Sequence, residues 1–346
     1  MKLIPNFTHT PGAHCGSTAM RDLLRYTGLD VSEAMCLGLG SGLGFLYFRN
    51  SRGESPSRLF FGRTVNFERE ACAHLALDFE EGADDDADRA WQTVKNFVDR
   101  DIPVLLHLEL SQLPYWNTRT PFPGHRAILV GYDDARQVAF IADTHFPGLQ
   151  QVSYDALRAA RATKLPPLPL CNEWLAIKSR GLEVGRWMLD VGSDSARQSV
   201  QSPRKASNLQ SPINAALCDN ARAMVIDRAP HFGIMGMETL AEDFEIWGDA
   251  PDWILCARWG YQNIAVRGTG GGFFRAMYAQ FLRDAQLPEL AAPMDEIARE
   301  WETFAALLKQ IADEKNRALF ADASRAMRRL AMREEIFWGR VLDTTS

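Results

Sequence analysis

Gly124-His125-Arg126-Ala127-Ile128-Leu129-Val130-Gly131-Tyr132, then Asp133-Asp134, then Val138-Ala139-Phe140-Ile141-Ala142-Asp143, reads as two apolar runs joined by a turn. Runs of this length, rich in branched and aromatic residues and separated by an Asp pair, form antiparallel strands over Arg126 to Tyr132 and Val138 to Ala142. Working outward, Pro103 precedes a third run, Val104 to Leu108, which completes an antiparallel meander. Beyond the stiff connector Leu165-Pro166-Pro167-Leu168-Pro169, Glu173 to Lys178 offers one more strand for the same sheet. Near the start of the chain, Ala19, Met20, Leu23 and Leu24 repeat at helical spacing between Gly16 and Thr27, and Gly28 stops the helix. The expected fold class is therefore α+β, with an N-terminal helix packed on an antiparallel sheet.

Between that helix and the sheet, a short helix from about Ser32 to Cys36 runs into Gly38-Leu39-Gly40-Ser41-Gly42-Leu43-Gly44-Phe45. Those glycines allow backbone conformations closed to other residues, and a strand from Phe45 to Phe48 follows. The acidic run Asp78 to Asp88 reads as a solvated loop leading into a helix over Ala90 to Arg100, with Trp91, Val94 and Phe97 or Val98 facing inward. Ser193 to Ser211, rich in Ser, Gln and Arg, reads as a long loop. Helical periodicity dominates after it, over Asn214 to Ala229, Met237 to Trp247, Gly272 to Ala285, Asp295 to Ala312 and Glu314 to Trp338. Two domains are expected, 1–180 built on the sheet and 181–346 mainly helical. The length of 346 residues suits two cores better than one.

Composition narrows the function classes. With 46% hydrophobic and 24% charged residues and a formal net charge of -6, the chain is an ordinary globular one with no basic footprint for nucleic acid. Neither a signal-peptide core nor an apolar run of the roughly 20 residues a membrane span needs is found, so a cytoplasmic protein with no membrane partner is expected. Six cysteines are scattered without close pairing and read as reduced thiols; Cys36, Cys72, Cys218 and Cys256 sit among apolar neighbours as small hydrophobes. Oligomeric state is not readable.

Cys15 is the exception. A thiol at a helix start gains from the partial positive charge there, which favours thiolate. A thiolate nucleophile needs a base, and His125 stands at the opening of a strand; the base needs its ring fixed, and Asp143 closes the neighbouring antiparallel strand. The order Cys, His, Asp on one helix and one sheet predicts a catalytic set of Cys15, His125 and Asp143. The backbone amide of Cys15 is the first donor of an oxyanion hole.

Phe7, His9, Gly12, His14-Cys15, Ser17, Ser32-Glu33, the glycine segment Gly38 to Phe45 and Gly124-His125 resemble the N-terminal domain family of butirosin biosynthesis protein H. Arg267-Gly268-Thr269-Gly270-Gly271-Gly272-Phe273-Phe274-Arg275, with Tyr278, Phe281 and Leu282, resembles the helical domain that accompanies it. The resemblance implies a papain-like fold and an acyltransferase of natural-product assembly. Such an enzyme takes an acyl group from the phosphopantetheine thioester of a carrier protein, through an acyl-Cys15 intermediate, to a small-molecule amine. No metal and no bound cofactor are implied. In papain-like enzymes a Gln six residues before the Cys donates to the oxyanion; His9 occupies that position here and is expected to replace it.

Substrate contacts are expected at His14 and Glu33 beside the thiol, at Ser41 and Gly42 in the glycine segment, and at Arg267 and Gly270. The Gly268 to Gly272 run ahead of a helix suits the pantetheine phosphate or is a plain tight turn. Arg325, Arg328, Arg329 and Arg333 read either as a docking face for an acidic carrier protein or as a solvated helix face. A cysteine peptidase or amidase of the same fold, and a binding protein with a vestigial site, are the alternatives.

Overall fold

The computed structural model describes residues 1–50, 55–164, 169–178, 209–227 and 230–345. In chain order the first elements are β1 (Lys2–Leu3), α1 (Cys15–Thr27), α2 (Glu33–Leu39), β2 (Leu43–Arg49), β3 (Arg58–Arg63) and α3 (Phe67–His74). Then come β4 (Phe79–Gly82), α4 (Ala87–Asp99), β5 (Val104–Leu108), β6 (His125–Asp133), β7 (Val138–Ala142), β8 (Gln150–Ser153), α5 (Tyr154–Arg161) and β9 (Trp174–Ile177). The remainder is helical: α6 (Gln210–Val225), α7 (Gly233–Trp247), α8 (Trp253–Ala265), α9 (Arg275–Asp284), α10 (Pro288–Glu314) and α11 (Phe320–Thr345). The chain is α+β, with an antiparallel sheet followed by a mainly helical region.

Two compact units result, and they are not the consecutive stretches 1–180 and 181–346 that the sequence suggests. The first gathers Met1–Glu33 with the described part of Ala76–Asn208; the second gathers Ala34–Leu75 with Leu209 onward. The glycine segment and its strand thus pack with the helices. The expected boundary near Arg180, residues 165–168 of the proline connector, and all but Leu209–Ser211 of the expected loop over Ser193–Ser211 lie outside the described residues.

The first unit is organised by a seven-stranded sheet in the order β4-β9-β5-β6-β7-β8, with β1 also paired to β6. Every strand pairing is antiparallel, as the meander requires. β6 is buried along almost its whole length, which explains why its sequence is a continuous apolar run rather than an alternating one. At Gly131 an added Cβ would come within 2.6 Å of the Lys2 carbonyl, so glycine is what admits β1 to the sheet. Val94, Phe97, Val104, Leu106, Leu129, Ile141 and Trp174 meet in the core of this unit. On α1, Met20, Leu23 and Leu24 are buried, and Gly28 ends the helix in a left-handed turn with φ 101.

Differences from the sequence reading have local causes. The acidic run is not all loop: Phe79–Gly82 forms β4, because its backbone pairs with β9 while Glu80 and Glu81 point to solvent. The further strand expected over Glu173 to Lys178 does join the same sheet, as β9, between β4 and β5.

In the second unit β2 and β3 form an antiparallel pair among the helices. Phe45, Phe60, Phe273 and Trp301 cluster there, with ring centroids 4.8 to 6.4 Å apart. The glycines ahead of β2 serve close approach rather than unusual torsion: a Cβ at Gly38 would lie 2.1 Å from the Phe281 ring, and one at Gly40 2.2 Å from the Phe67 carbonyl. Trp253–Ala265, which the sequence reading passed over, is a helix with Trp253, Cys256, Trp259 and Ile264 buried.

Candidate active site

Cys15 is the first residue of α1, and the chain around it is tied down from several sides. His14 is the N-cap in an extended conformation, and its Nδ1 accepts the Ser17 amide at 3.3 Å. Glu33 reaches back to the same place. Its carboxylate accepts from the amides of Ala13 (3.0 Å) and His14 (2.7 Å) and from the hydroxyls of Ser17 (2.9 Å) and Thr18 (3.1 Å). A carboxylate at a helix N-terminus satisfies amides that have no intrahelical acceptor and sits favourably in the helix field. Both residues were expected as substrate contacts; what the geometry gives them is the fixing of the thiol.

His125 opens β6, opposite Leu108 of β5. The register Ile128↔Ala142 carries Asp143, the next residue, to the position beside Ala127, and Ala127 shares a face with His125 two residues away. The diagonal is short enough for contact. His125 Nε2–H donates to the Asp143 carboxylate, 2.9 Å from Oδ2 and 3.0 Å from Oδ1. Tyr115 Oη–H and Trp116 Nε1–H donate to the same Oδ2 at 2.6 and 2.9 Å. With Nε2 engaged, Nδ1 is the His125 nitrogen left for sulfur, and the side chains of Cys15 and His125 interact electrostatically. The three residues expected to act together are therefore brought together in series.

The electrostatics follow from these contacts. Burial opposes the Cys15 thiolate, but the neighbouring His14 and His125 outweigh it and hold the thiol well below its usual value. Burial likewise opposes a charged His125, yet the Asp143 carboxylate and then Cys15 reverse the balance and push it up to about 10. Asp143, though buried, is kept below the usual carboxylate range by His125, Tyr115 and Trp116. Tyr115 is pushed upward by burial and by Asp143, so it stays a phenol and a donor. Cys15 is half-buried, and all six cysteines are free. Cys36, Cys72 and Cys256 are buried as expected of small hydrophobes, whereas Cys218 is only half-buried.

His9, expected as an oxyanion donor, has its ring turned to other partners. Its Nε2 meets the backbone carbonyl of Asp143 at 3.1 Å and its Nδ1 meets Asp22 Oδ2 at 2.6 Å, so both ring nitrogens are engaged within the protein. Ser41 and Gly42 lie in the second unit with their polar groups satisfied there: Ser41 Oγ donates to the Ala216 carbonyl at 2.9 Å, and Gly42 donates to the Leu37 carbonyl at 2.9 Å. Arg267 donates to Gln262 Oε1 at 3.1 Å and lies over the Trp259 ring. Gly270, Gly271 and Gly272 have φ of 69, 96 and 51, which makes the run a tight left-handed turn before a three-residue helical turn. Of the α11 arginines, Arg325 pairs with Asp322, Arg328 with Glu245 at 3.7 Å, and Arg333 with Glu296 and Glu300 at 2.7 and 3.1 Å. That pattern is a solvated, ion-paired helix face.

Sequence reasoning missed Tyr115, Trp116 and Asp22. The first two sit in a short helical turn that starts at Pro114, as adjacent aromatics, each with a polar handle that seeks a partner when buried, and that pairing was the available signal. Asp22 on the apolar face of an amphipathic helix was another, since a buried carboxylate needs partners. Among the described residues no group of three or more His, Cys, Asp or Glu is placed to hold a metal ion. Nor is any described helix long and apolar enough to cross a membrane.

Comparison with known proteins gives two matches along the chain. Residues 14–144 match the family model described as butirosin biosynthesis protein H, N-terminal. Residues 193–341 match a domain of unknown function, DUF4872. No curated protein matches the chain.

Proposed function

From a chain whose residues 14–144 match the butirosin biosynthesis protein H N-terminal family and whose residues 193–341 match a DUF4872 domain, we infer a cysteine-dependent acyltransferase with a papain-like arrangement of Cys15, His125 and Asp143. The family is linked to butirosin biosynthesis, which points to a biosynthetic enzyme. The observation that carries the finer reading is the hydrogen bond of His125 to the buried Asp143 carboxylate, together with the electrostatic interaction between His125 and Cys15.

The Cys15 thiolate attacks the carbonyl carbon of an acyl thioester carried on the phosphopantetheine arm of a carrier protein. The carbonyl oxygen becomes an oxyanion at the start of α1, where the Cys15 amide is free of any intrahelical acceptor. Collapse breaks the bond to the pantetheine sulfur, and His125 gives that sulfur its proton. The acyl group is now on Cys15. An amine then attacks, His125 takes the amine proton, and the Cys15 thiolate leaves with the imidazolium beside it. Thioester and thiol are matched, so the first exchange is close to balanced and requires no ATP. Asp143 keeps the imidazole in one orientation and stabilises its charged form.

Incubation with an acylated carrier protein, read by intact mass and peptide mapping, tests the proposal. An acyl adduct on Cys15 that is discharged by an amine is expected. Transfer by a Cys15→Ala protein would refute it, and cleavage of a peptide without use of thioesters would assign the same residues to a peptidase.

A further inference from the structure

His9 lies six residues before the thiol, yet its ring bridges two elements rather than facing a substrate. The Asp143 carbonyl can only accept, so Nε2 of His9 carries a proton and donates to it at 3.1 Å. On the other side Nδ1 meets Asp22 Oδ2 at 2.6 Å, and the two side chains are 5% and 0% exposed. Asp22 belongs to α1, the helix that begins with Cys15; its Oδ1 accepts from Arg21 Nε and Nη2 at 3.0 and 2.9 Å. The residues that follow His9 repeat the pattern. Arg21 also donates to the Thr10 carbonyl, Arg25 Nη1 donates to Thr10 Oγ1 at 3.2 Å, and the Gly12 amide donates to the Thr144 carbonyl at 2.9 Å.

Residues 9–12 are thus a strap. One edge is bonded to α1 through Arg21, Asp22 and Arg25; the other is bonded to the backbone of Asp143 and Thr144. What the strap joins is the helix that holds the nucleophile and the turn that holds the residue orienting its base. We propose that His9 is a positioning residue: by bridging Asp22 to the Asp143 carbonyl it sets the spacing between the Cys15 helix and the His125–Asp143 pair. The inference rests on the Cys15–His125–Asp143 reading and adds to it a second-layer residue whose contact is to backbone on one side and to a buried carboxylate on the other. Small displacements matter at such a place, because a hydrogen bond between thiolate and imidazolium weakens steeply with distance and angle.

Alkylation of Cys15 by iodoacetamide, followed by peptide mass across a pH series, reads that spacing without any acyl donor. In the full-length wild type Cys15 reacts faster than the other five thiols at mildly acid pH. In His9→Ala the Cys15 rate there falls about tenfold, as expected when a supporting contact of a reactive pair is lost, and the midpoint of its pH profile moves up. His9→Gln, which retains an amide donor for the Asp143 carbonyl, recovers a large part of the rate. Asp22→Asn breaks the bridge from the helix side and gives a profile displaced in the same direction. Melting temperature and far-ultraviolet circular dichroism accompany each variant, since a merely structural role would lower the melting temperature and leave the Cys15 profile in place. That outcome in His9→Ala, or in Asp22→Asn if His9→Ala does not fold, overturns the inference while the cysteine assignment stands. A wild-type Cys15 no more reactive than the other thiols overturns both.

Discussion

Two buried carboxylates, Asp143 in the first unit and Glu334 in the second, sit among aromatic and cationic partners, and the two clusters differ in where their hydrogen bonds lead. In the second unit Glu334 accepts from Arg275 Nε and Nη2, both at 2.9 Å, and from Trp301 Nε1 at 2.7 Å. Arg275 Nη1 donates to the Gly62 and Phe273 carbonyls, and the guanidinium lies over the Phe273 and Trp301 rings. Both charges are fully buried, and the network leads only to other buried groups. In the first unit Asp143 is held just as firmly by Tyr115 and Trp116, but its third donor is an imidazole that also interacts electrostatically with a half-buried sulfur. A closed network fixes a core. One that ends on a polarisable, reachable atom can do chemistry, and this contrast is what separates the site from the other buried charges of the chain.

The contrast can be broken most severely at its open end. Cys15→Ala is expected to lower acyl transfer by about a thousandfold or more, because it removes the group on which the intermediate forms; the discharge assay with an acylated carrier reads it. At the closed end, Glu334→Ala leaves Arg275 buried without its counter-charge and is expected to destabilise the second unit by about 3–5 kcal/mol. Denaturant unfolding measures that loss, and Cys15 alkylation under native conditions is expected to be unchanged. Asp143→Asn keeps the shape of its site but loses the charge that sustains the His125 imidazolium. A fall of about a hundredfold in transfer is expected, with the Cys15 thiolate appearing at higher pH than in the wild type.

The smallest expected effect is at the aromatic clamp. Tyr115→Phe removes one donor from Asp143 and leaves Trp116 in place, so a loss of about 1 kcal/mol, or severalfold in rate, is expected from transfer kinetics. The pH dependence of the wild type sharpens the same contrast. Cys15 is held below its usual value and His125 is pushed up to about 10, so the ionised pair exists between those limits. As pH falls through the depressed thiol value, alkylation and transfer decline together. As pH rises through about 10, His125 loses the proton needed by the leaving sulfur, and transfer declines while alkylation persists.

The parts legible in the sequence were those written in short-range pattern. The β6–β7 turn at Asp133-Asp134 and the periodicity ending at Gly28 gave the sheet and the helix, and with them the meeting of Cys15, His125 and Asp143. Long-range pairing was less accessible. β4 is too acidic to read as a strand, and only its partner β9, far along the chain, makes it one. The glycine segment suggested torsional freedom, whereas Gly38 is required by the Phe281 ring more than two hundred residues away. His9 was placed correctly near the site but given the wrong neighbour, since position alone does not reveal that Asp22 and the Asp143 carbonyl take both its nitrogens.

The ionisation of Cys15 in the resting protein tests the central claim most directly. Its thiolate absorbance, taken as the ultraviolet difference between wild type and Cys15→Ser during a pH titration, isolates one sulfur among six. A thiolate already present well below the usual thiol range, and shifted upward in His125→Ala, is the result the account predicts. A sulfur that titrates as an ordinary thiol, indifferent to the loss of His125, would contradict it.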